Sequence, residues 1–153
     1  MKLYRAPELF PDDDSVKIFL AGSIEMGLAE QWQDRFSEQL TDTNITILNP
    51  RRLDFDASQD QSVDNPYFKQ QVEWELAALE SSDLIFVYFD PNTKSPITLL
   101  ELGLFNKKPI VVCCPDGFWR QGNIEIVCKW YDIPFTKDKD LFFQRSIALC
   151  KTL

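Results

Sequence analysis

A glutamate, Glu101, occupies a position at which the hydrophobic pattern predicts a core residue. Its segment predicts a helix, because Ser95 is a good N-cap and Pro96 a good first helical residue. Ile97 and either Leu104 or Phe105 recur around Glu101 at helical spacing, which places them with Glu101 on the face that points toward the protein. A buried carboxylate is costly unless it is paired or used. Glu101 is therefore either a catalytic group or half of a buried ion pair with an arginine or lysine.

A second glutamate, Glu75, could meet Glu101. It lies beside the apolar stripe of a predicted helix that opens at Asn65-Pro66, and the stripe consists of Phe68, Val72, Leu76 and Leu79. Of two neighbouring carboxyls, one has a pKa raised by burial and by its neighbour, while the other stays ionised. That division suits glycosyl chemistry, in which a carboxylate attacks the anomeric carbon and a carboxylic acid protonates the leaving group. Glu101 and Glu75 are our candidate catalytic residues.

The chain contains no histidine, which removes the commonest general base and the commonest metal ligand. Proton transfer near neutral pH must then fall to Asp, Glu, Tyr or Cys side chains with shifted pKa values. Mechanisms built on Ser-His-Asp or Cys-His arrangements are excluded. The cysteines show no Cys-x-x-Cys spacing, and we predict reduced, buried thiols rather than zinc ligands or disulfides at Cys113, Cys114, Cys128 and Cys150. We expect neither a metal nor a cofactor.

Polar turns after two predicted strands could bind a ligand. The turn Gly22-Ser23-Ile24 would let a phosphate, sugar or base approach its backbone amides, or it is simply a strand-to-helix turn. Gly22 and Gly27 lack the Gly-Lys-Ser/Thr of a nucleoside-triphosphate P-loop, and the Gly-x-Gly-x-x-Gly dinucleotide pattern is absent too. In the other turn, Arg51 and Asp54 belong to a run of two arginines and two aspartates. These residues could bind phosphate or hydroxyl groups, or pair with each other at the surface.

Strands and helices alternate along the chain from residue 16. The predicted strands are Val16–Leu20, Ile45–Leu48, Asp83–Phe89, Pro109–Cys113 and Ile133–Phe135. The predicted helices run from about Leu28 to Leu40, from Asn65-Pro66, from Ser95-Pro96, from Asn123 to Trp130 and from about Lys139 to Cys150. Nearly all-apolar strands joined by helices indicate a parallel sheet covered on both faces. We predict one doubly wound, flavodoxin-like α/β domain over residues 16–153, after an irregular lead-in over residues 1–15. We expect about five strands, which lie in the sheet in the order 2-1-3-4-5 when they are numbered along the chain.

The predicted topology brings the candidate residues together. In a doubly wound sheet, the ligand cleft lies beyond the carboxyl ends of the strands, at the switch point between the first and third strands. The loops that reach this point are 22–24, 49–56 and 90–95. Each polar turn described above belongs to one of these loops, and the helix of Glu101 begins at the end of the last.

Composition narrows the class of protein. A chain of 153 residues with 44% hydrophobic content is long and apolar enough for one globular domain. No apolar run approaches the ~20 residues of a membrane span, and the N-terminus lacks a signal peptide's apolar stretch. We therefore expect a soluble, cytoplasmic protein with no membrane partner. The net charge of −8 argues against polymeric nucleic acid, because phosphate backbones bind basic surfaces, but it leaves room for a small nucleotide.

Several of these stretches together resemble the nucleoside 2-deoxyribosyltransferase-like family. The most specific is Ser95-Pro96-Ile97-Thr98-Leu99-Leu100-Glu101-Leu102-Gly103. The others are Phe19-Leu20-Ala21-Gly22-Ser23-Ile24, Asn49-Pro50-Arg51-Arg52 with Asp54, Gln71-Val72-Glu73-Trp74-Glu75-Leu76, and Gly117-Phe118-Trp119-Arg120-Gln121-Gly122-Asn123. They cover roughly residues 16 to 136 in the family's order. The resemblance implies a flavodoxin-like fold, a homo-oligomer, and a small-molecule nucleoside or nucleotide as the ligand.

The resemblance also implies roles for individual residues. It places Glu101 on the family's nucleophilic glutamate, Ser95 on a loop position that helps to orient it, and Glu75 on an acidic, often Asp, position that assists proton transfer. Substrate binding is implied for Gly22, Ser23, Ile24, Arg51, Asp54, Ser95 and Thr98. In relatives that hydrolyse nucleoside monophosphates, the Gly-Ser turn and a serine near the nucleophile hold the phosphate. Ser23 and Ser95 could do so here.

The hypothesis that follows is N-glycosidic bond transfer on 2′-deoxynucleosides, with base exchange through a covalent deoxyribosyl-glutamate intermediate on Glu101. The near alternative is a nucleoside 5′-monophosphate N-glycoside hydrolase, which two arginines and two serines near the cleft favour. The distant alternative is a non-catalytic nucleotide-binding or signalling module that keeps the pocket.

Overall fold

The apolar runs of the sequence form parallel strands, and one further strand joins them. The computed structural model describes residues 1–24 and 29–153. Gly27 and the predicted start of the first helix at Leu28 therefore lie outside the described part. The described strands are β1 (Lys2–Arg5), β2 (Lys17–Gly22), β3 (Thr46–Asn49), β4 (Leu84–Tyr88), β5 (Ile110–Cys113) and β6 (Phe135–Thr136). The described helices are α1 (Trp32–Glu38), α2 (Pro66–Ser81), α3 (Pro96–Leu104), α4 (Gln121–Trp130) and α5 (Lys139–Cys150).

The strands form one sheet in the order β1-β3-β2-β4-β5-β6, and every neighbouring pair is parallel. Without β1, this is the predicted order, so the doubly wound, flavodoxin-like fold is confirmed. The prediction of an irregular segment over residues 1–15 is wrong for Lys2–Arg5, which pairs with β3 at the edge of the sheet. This short strand has a charged residue at each end and is only partly buried. Its conformation depends on pairing with β3 more than on its own pattern.

Helices cover both faces of the sheet, which explains the continuous apolar strands. On one face, α1 and α5 pack Trp32, Phe36 and Phe142 against the sheet. On the other face, α2, α3 and α4 contribute residues such as Ala78, Leu102 and Ile124. Every residue of β2 and β4, the two central strands, is buried. The loops after these strands are therefore held by a rigid base at the carboxyl edge of the sheet.

In two helices, the buried face differs from the face that the sequence predicts to be buried. In α2, Trp74, Ala78 and Leu79 are buried, whereas Leu76 is 40% exposed, so the predicted stripe is wrong at Leu76. The indole N–H of Trp74 donates to the Glu8 carbonyl at 2.7 Å, which anchors this face of α2 under the N-terminal segment. The sequence prediction missed this contact because it treated the N-terminal segment as irregular.

In α3, the buried residues are Thr98 and Leu102, whereas Ile97 and Leu104 are each 58% exposed. The predicted grouping is therefore wrong at Ile97 and Leu104, whereas Phe105, the alternative to Leu104, is partly buried against the core. Glu101 is nevertheless only partly exposed, because it follows Thr98 and precedes Leu102 around the inner side of the helix. The pattern misled because α3 is apolar on both sides, so periodicity did not distinguish the inner side.

All four cysteines are buried with free thiols, as predicted. Burial raises the pKa of the Cys113, Cys114 and Cys150 thiols to about 12 and that of Cys128 to about 11. Thiols in this state are poor nucleophiles. No helix in the described residues combines the length and the apolar character needed to cross a membrane.

Candidate active site

The two candidate catalytic carboxyl groups belong to neighbouring helices along the chain, Glu75 to α2 and Glu101 to α3. Burial, followed by the nearby Glu75 carboxylate, raises the pKa of Glu101 to about 8. Burial also raises the pKa of Glu75 to about 7, although a hydrogen bond from Gln71 opposes this shift. The charge of Glu75 acts on Glu101, so the two groups interact electrostatically. Their protonation therefore changes in the pH range in which most enzymes work.

The two carboxyls have different partners. The Gln71 side-chain amide donates to Glu75 Oε1 at 2.8 Å and to the Pro50 carbonyl at 2.8 Å. For the Glu101 carboxyl, no ion pair or hydrogen bond is found with residues 1–24 or 29–153. Within that part of the chain, the alternative of a buried pair with arginine or lysine therefore has no support. An unpaired, partly buried carboxyl is available for chemistry.

The raised pKa values also have a cost for the fold. An unfolded glutamate loses its proton near its ordinary pKa, whereas Glu75 and Glu101 hold theirs up to about 7 and 8 in the folded protein. Their contribution to the free energy of unfolding is thus fully present below about pH 4.5 and is lost as the pH rises through 7 and 8. Residues that destabilise the fold at neutral pH are typical of functional sites.

Three hydroxyl groups form a closed cluster at the start of α3. Ser23 Oγ lies 2.8 Å from Thr93 Oγ1 and 2.5 Å from Ser95 Oγ, and Thr93 and Ser95 are themselves 2.8 Å apart. Ser23 Oγ also accepts a hydrogen bond from the Asp90 backbone N–H at 3.0 Å. The cluster joins the loop after β2 to the loop after β4. The structure thus brings Ser23 and Ser95 together, as the predicted topology requires.

Ser95 stands at the N-cap position, as predicted, but its side chain does not cap the helix. Its backbone is left-handed, with φ 45°, and its hydroxyl joins the cluster instead. The left-handed region is unfavourable for a residue with a Cβ, and such strain concentrates at functional sites. The predicted capping role is therefore wrong, because contacts with the loop after β2 determine where this side chain points.

Gly22 is required by close packing where β2 ends. A Cβ at this position would lie 2.5 Å from the Tyr88 carbonyl oxygen and 2.9 Å from the Trp32 ring. The next residue, Ser23, donates its backbone N–H to the same Tyr88 carbonyl at 3.2 Å. Ile24 follows, partly buried, and its carbonyl accepts from Ala29. The turn is therefore tightly positioned beside β4.

The two predicted residues of the loop after β3 have different environments. Arg51 is buried, and its guanidinium donates to the Ala29 carbonyl at 2.8 Å, which ties this loop to the one after β2. Asp54 is largely exposed and is held by Arg52 through bonds of 2.9 and 3.0 Å. Arg52 in turn lies 4.0 Å from the centre of the Tyr67 ring. For Arg52 and Asp54, the structure thus contains the surface pairing that the sequence left open.

Thr98, the last of the predicted binding residues, is buried on the inner side of α3. Sequence reasoning missed Gln71 and Thr93. Gln71 precedes Glu75 by one helical turn, and this spacing could have identified it as a partner. Thr93 belongs to the loop that was expected at the cleft, but no local signal distinguishes it there. Its role depends on contacts with Ser23, which is 70 residues away.

No group of three or more Cys, Asp or Glu side chains that could hold a metal occurs in the described residues. A groove of about 560 Å³ lies between the N-terminal segment and α2, where Phe10 and Trp74 line it. Neither Glu75 nor Glu101 lines this groove.

Comparisons with known proteins bear on the family and on the fold. The family model described as "Nucleoside 2-deoxyribosyltransferase like" matches residues 15–118, which is more than half of the chain. No curated protein matches. A solved structure described as "Crystal structure of conserved protein from Enterococcus faecalis V583" is similar in fold, with a TM-score of 0.51 and 18% sequence identity. The match covers 89% of this chain and 88% of that chain.

Proposed function

Because this chain belongs to the nucleoside 2-deoxyribosyltransferase-like family, we propose that it transfers 2-deoxyribose between nucleobases by cleaving the N-glycosidic bond of a 2′-deoxynucleoside. The observation that carries the proposal is the pair of partly buried carboxyls, Glu75 and Glu101, with raised pKa values. Glycosyl transfer needs one carboxylate and one carboxylic acid at the same bond. A coupled pair that holds a single proton near neutral pH supplies both.

Because Glu101 has the higher pKa, the single proton of the pair rests on Glu101 near neutral pH, and in the proposed first step this proton passes to Glu75. The Glu101 carboxylate then attacks C1′ of the sugar and forms a deoxyribosyl ester. The bond between C1′ and the base nitrogen breaks, its electron pair leaves with the base, and Glu75 donates a proton to that base. In the second step, a nitrogen of another base attacks C1′, Glu101 leaves as a carboxylate, and the proton of the incoming base passes to Glu75. The pair thus ends each cycle in the protonation state in which it began.

We predict that Glu101→Gln abolishes base exchange while the protein remains folded. The amide is nearly isosteric but cannot form the ester, so turnover should fall by roughly 10³-fold or more. The assay incubates each common 2′-deoxynucleoside with and without free adenine, and mass spectrometry tests for a covalent deoxyribosyl adduct. Glu73→Gln is the matched control, because Glu73 lies on the exposed side of the same helix as Glu75 and pairs with the neighbouring Lys69 at 3.6 Å. Undiminished turnover in Glu101→Gln would overturn the assignment.

A second candidate function is hydrolysis of nucleoside 5′-monophosphates, with water in place of the second base. The cluster of Ser23, Thr93 and Ser95 favours it, because hydroxyl groups at the N-terminus of α3 suit a phosphate. In the same assay, release of free sugar phosphate without base exchange distinguishes this activity. Tight binding of nucleosides or nucleotides without any turnover would instead support a non-catalytic module.

We also propose that the protein is a homo-oligomer whose contact includes the outer side of α3. Ile97, Leu100 and Leu104 are each more than half exposed there, and α3 carries no charged residue other than Glu101. Helices that are apolar on all sides are normally covered. In a chain of net charge −8, an uncharged face is also where two copies can approach with the least repulsion.

A further inference from the structure

The side-chain amide of Gln71 connects the Glu75 carboxyl to the carboxyl edge of the sheet. Its nitrogen donates to Glu75 Oε1 and to the Pro50 carbonyl, at 2.8 Å each. A primary amide has two N–H groups, so both donors of Gln71 are used. Gln71 precedes Glu75 by four residues on α2, and this spacing places the two side chains next to each other on the helix. Glu75 is thus tied, through Gln71, to the loop after β3.

The Pro50 carbonyl that accepts from Gln71 belongs to a well-held turn. Pro50 directly follows Asn49, which is the last residue of β3 and is fully buried. The Asn49 side-chain oxygen accepts from the backbone N–H of Arg51 at 2.9 Å, and this bond closes the turn around Pro50. A carbonyl that is fixed in this way gives Gln71, and therefore Glu75, a defined position relative to the sheet.

The two acceptors determine the orientation of the Gln71 amide. If the amide were turned over, its oxygen would face the Pro50 carbonyl and the Glu75 carboxylate, neither of which can donate. The observed orientation leaves Gln71 Oε1 buried and without a hydrogen-bond partner among the described residues. An unpartnered buried acceptor is costly, so the two donated bonds must offset that cost. The amide is therefore held as a donor toward Glu75.

A fixed donor at one oxygen determines where Glu75 binds a proton. Because Oε1 accepts from Gln71, a proton that arrives at this carboxyl binds Oε2, and Oε1 stays the acceptor in both protonation states. The same hydrogen bond favours the ionised form, so it lowers the pKa of Glu75 against the larger effect of burial. Glu75 is therefore the member of the pair that gives up a proton more readily.

Burial and the bond from Gln71 account for the shifted pKa of Glu75. The charged groups on the elements around it are Glu101 on α3, Arg51 and Arg52 in the loop after β3, and Lys69, Glu73 and Glu80 on α2. Both arginines donate to acceptors of their own, and the charged groups of α2 are exposed. Glu101 is coupled to Glu75 as the other member of the pair.

From these contacts we propose that Gln71 is a positioning residue for proton transfer, which holds Glu75 by Oε1 so that Oε2 takes up the proton and delivers it to the leaving base. This inference rests on the proposed function and adds a residue to its first step. The O–H bond of Glu101 breaks, and the proton binds Glu75 Oε2. The proton then passes to the base nitrogen as the electron pair of the bond to C1′ moves onto the base, and Glu75 is again a carboxylate.

Two substitutions of Gln71 should change the pH dependence in opposite directions. Gln71→Met removes both hydrogen bonds but keeps the length of the side chain, so the acidic limb of the kcat/KM profile should move to higher pH. We expect kcat for base exchange to fall about 10-fold or more and KM to change by less than about 3-fold, because no substrate contact is removed. Gln71→Lys keeps a donor and adds a positive charge, so the acidic limb should move to lower pH. A purely structural role of Gln71 predicts no such opposite shifts.

Carbon-13 NMR of the glutamate carboxyls in the full chain tests the same point without turnover. The Glu75 signal is assigned by its loss in Glu75→Gln. Its titration midpoint should rise in Gln71→Met and fall in Gln71→Lys. Gln70→Met is the matched control, because Gln70 is exposed on the same helix and lines the groove that excludes the carboxyl pair. This variant should titrate and turn over like the wild type.

The proposal is overturned if Glu75 titrates in Gln71→Met as it does in the wild type, or if kcat is unchanged in that variant. If Gln71→Met does not fold because the Pro50 contact is lost, the downward shift in Gln71→Lys decides instead, and its absence overturns the proposal. A wild-type protein without base exchange would refute the proposed function. The NMR titration would then still show whether Gln71 controls the protonation of Glu75.

Discussion

At the scale of single residues, the carboxyl pair has no positively charged partner among the described residues. Glu101 has no cationic partner among the described residues, and Glu75 has only the neutral amide of Gln71. Burial is the main reason why both pKa values are raised, and the charge of Glu75 adds to the shift of Glu101. The two groups therefore titrate as a coupled pair rather than as independent acids.

We predict a bell-shaped pH dependence of kcat/KM with its maximum between about pH 7 and 8, where the pair holds one proton. At lower pH a second proton blocks the nucleophile, and at higher pH loss of the last proton removes the acid. In Glu75→Gln the remaining rate should be lower and should rise through a single pKa below about 8, because the repulsion from Glu75 is gone. Steady-state rates from pH 5 to 10 measure this, with Glu73→Gln as the control. A bell that is unchanged in Glu75→Gln would contradict the paired titration.

At the scale of elements, the site depends on how closely the ends of β2 and β4 approach. Gly22 lies against the Tyr88 carbonyl and the Trp32 ring, and Ser23 then joins the cluster at the start of α3. Gly103, near the end of α3, has nothing within 4 Å of the position that a Cβ would occupy. Close packing therefore requires glycine at position 22, whereas position 103 has room for a side chain.

We predict opposite effects of alanine at these two positions. Gly22→Ala should destabilise the protein by about 2 kcal/mol or more, because backbone and a packed ring must move. Gly103→Ala should be neutral or stabilise by up to about 1 kcal/mol, since alanine favours a helix and meets no clash. Chemical denaturation compares the free energies of unfolding of both variants with the wild type. Equal effects of the two substitutions would show that close approach at Gly22 is not the constraint.

At the scale of the whole molecule, apolar side chains remain on the outer side of α3. A free monomer would expose Ile97, Leu100 and Leu104 together on a helix that carries the proposed nucleophile. A second copy packed there would cover this surface and reduce the access of water to the helix of Glu101. The acidic character of the chain makes such a contact sensitive to added charge.

We predict that Leu100→Glu, which places a charge in the centre of this face, converts the oligomer into a monomer of 17.8 kDa. Val63→Glu is the matched control, because Val63 is 74% exposed in the loop before α2 and should leave the assembly intact. Light scattering coupled to gel filtration measures both masses. A wild-type mass of one chain, or dissociation caused equally by Val63→Glu, would refute a contact through α3.

Much of the fold and part of the site follow from local sequence. The apolar runs, the prolines at helix starts (Pro66 and Pro96) and the alternation of elements predicted the sheet order from β3 to β6. They also predicted the carboxyl edge of the sheet as the place of the candidate site. These signals can be read from the sequence because they depend on interactions between residues that are close together in the chain. The partial burial of Glu101 and the approach of Ser23 to Ser95 follow from the same topology.

Tertiary structure decided the features that depend on residues far apart in the chain. The strand β1 exists through its pairing with β3, and the rotation of α2 depends on the contact between Trp74 and Glu8. The left-handed Ser95 turns toward Ser23 instead of capping its own helix. Arg5 is in register with Asn49 because β1 and β3 end side by side, and Asp34 contacts both residues. Such contacts join residues that are dozens of positions apart, so no local pattern records them.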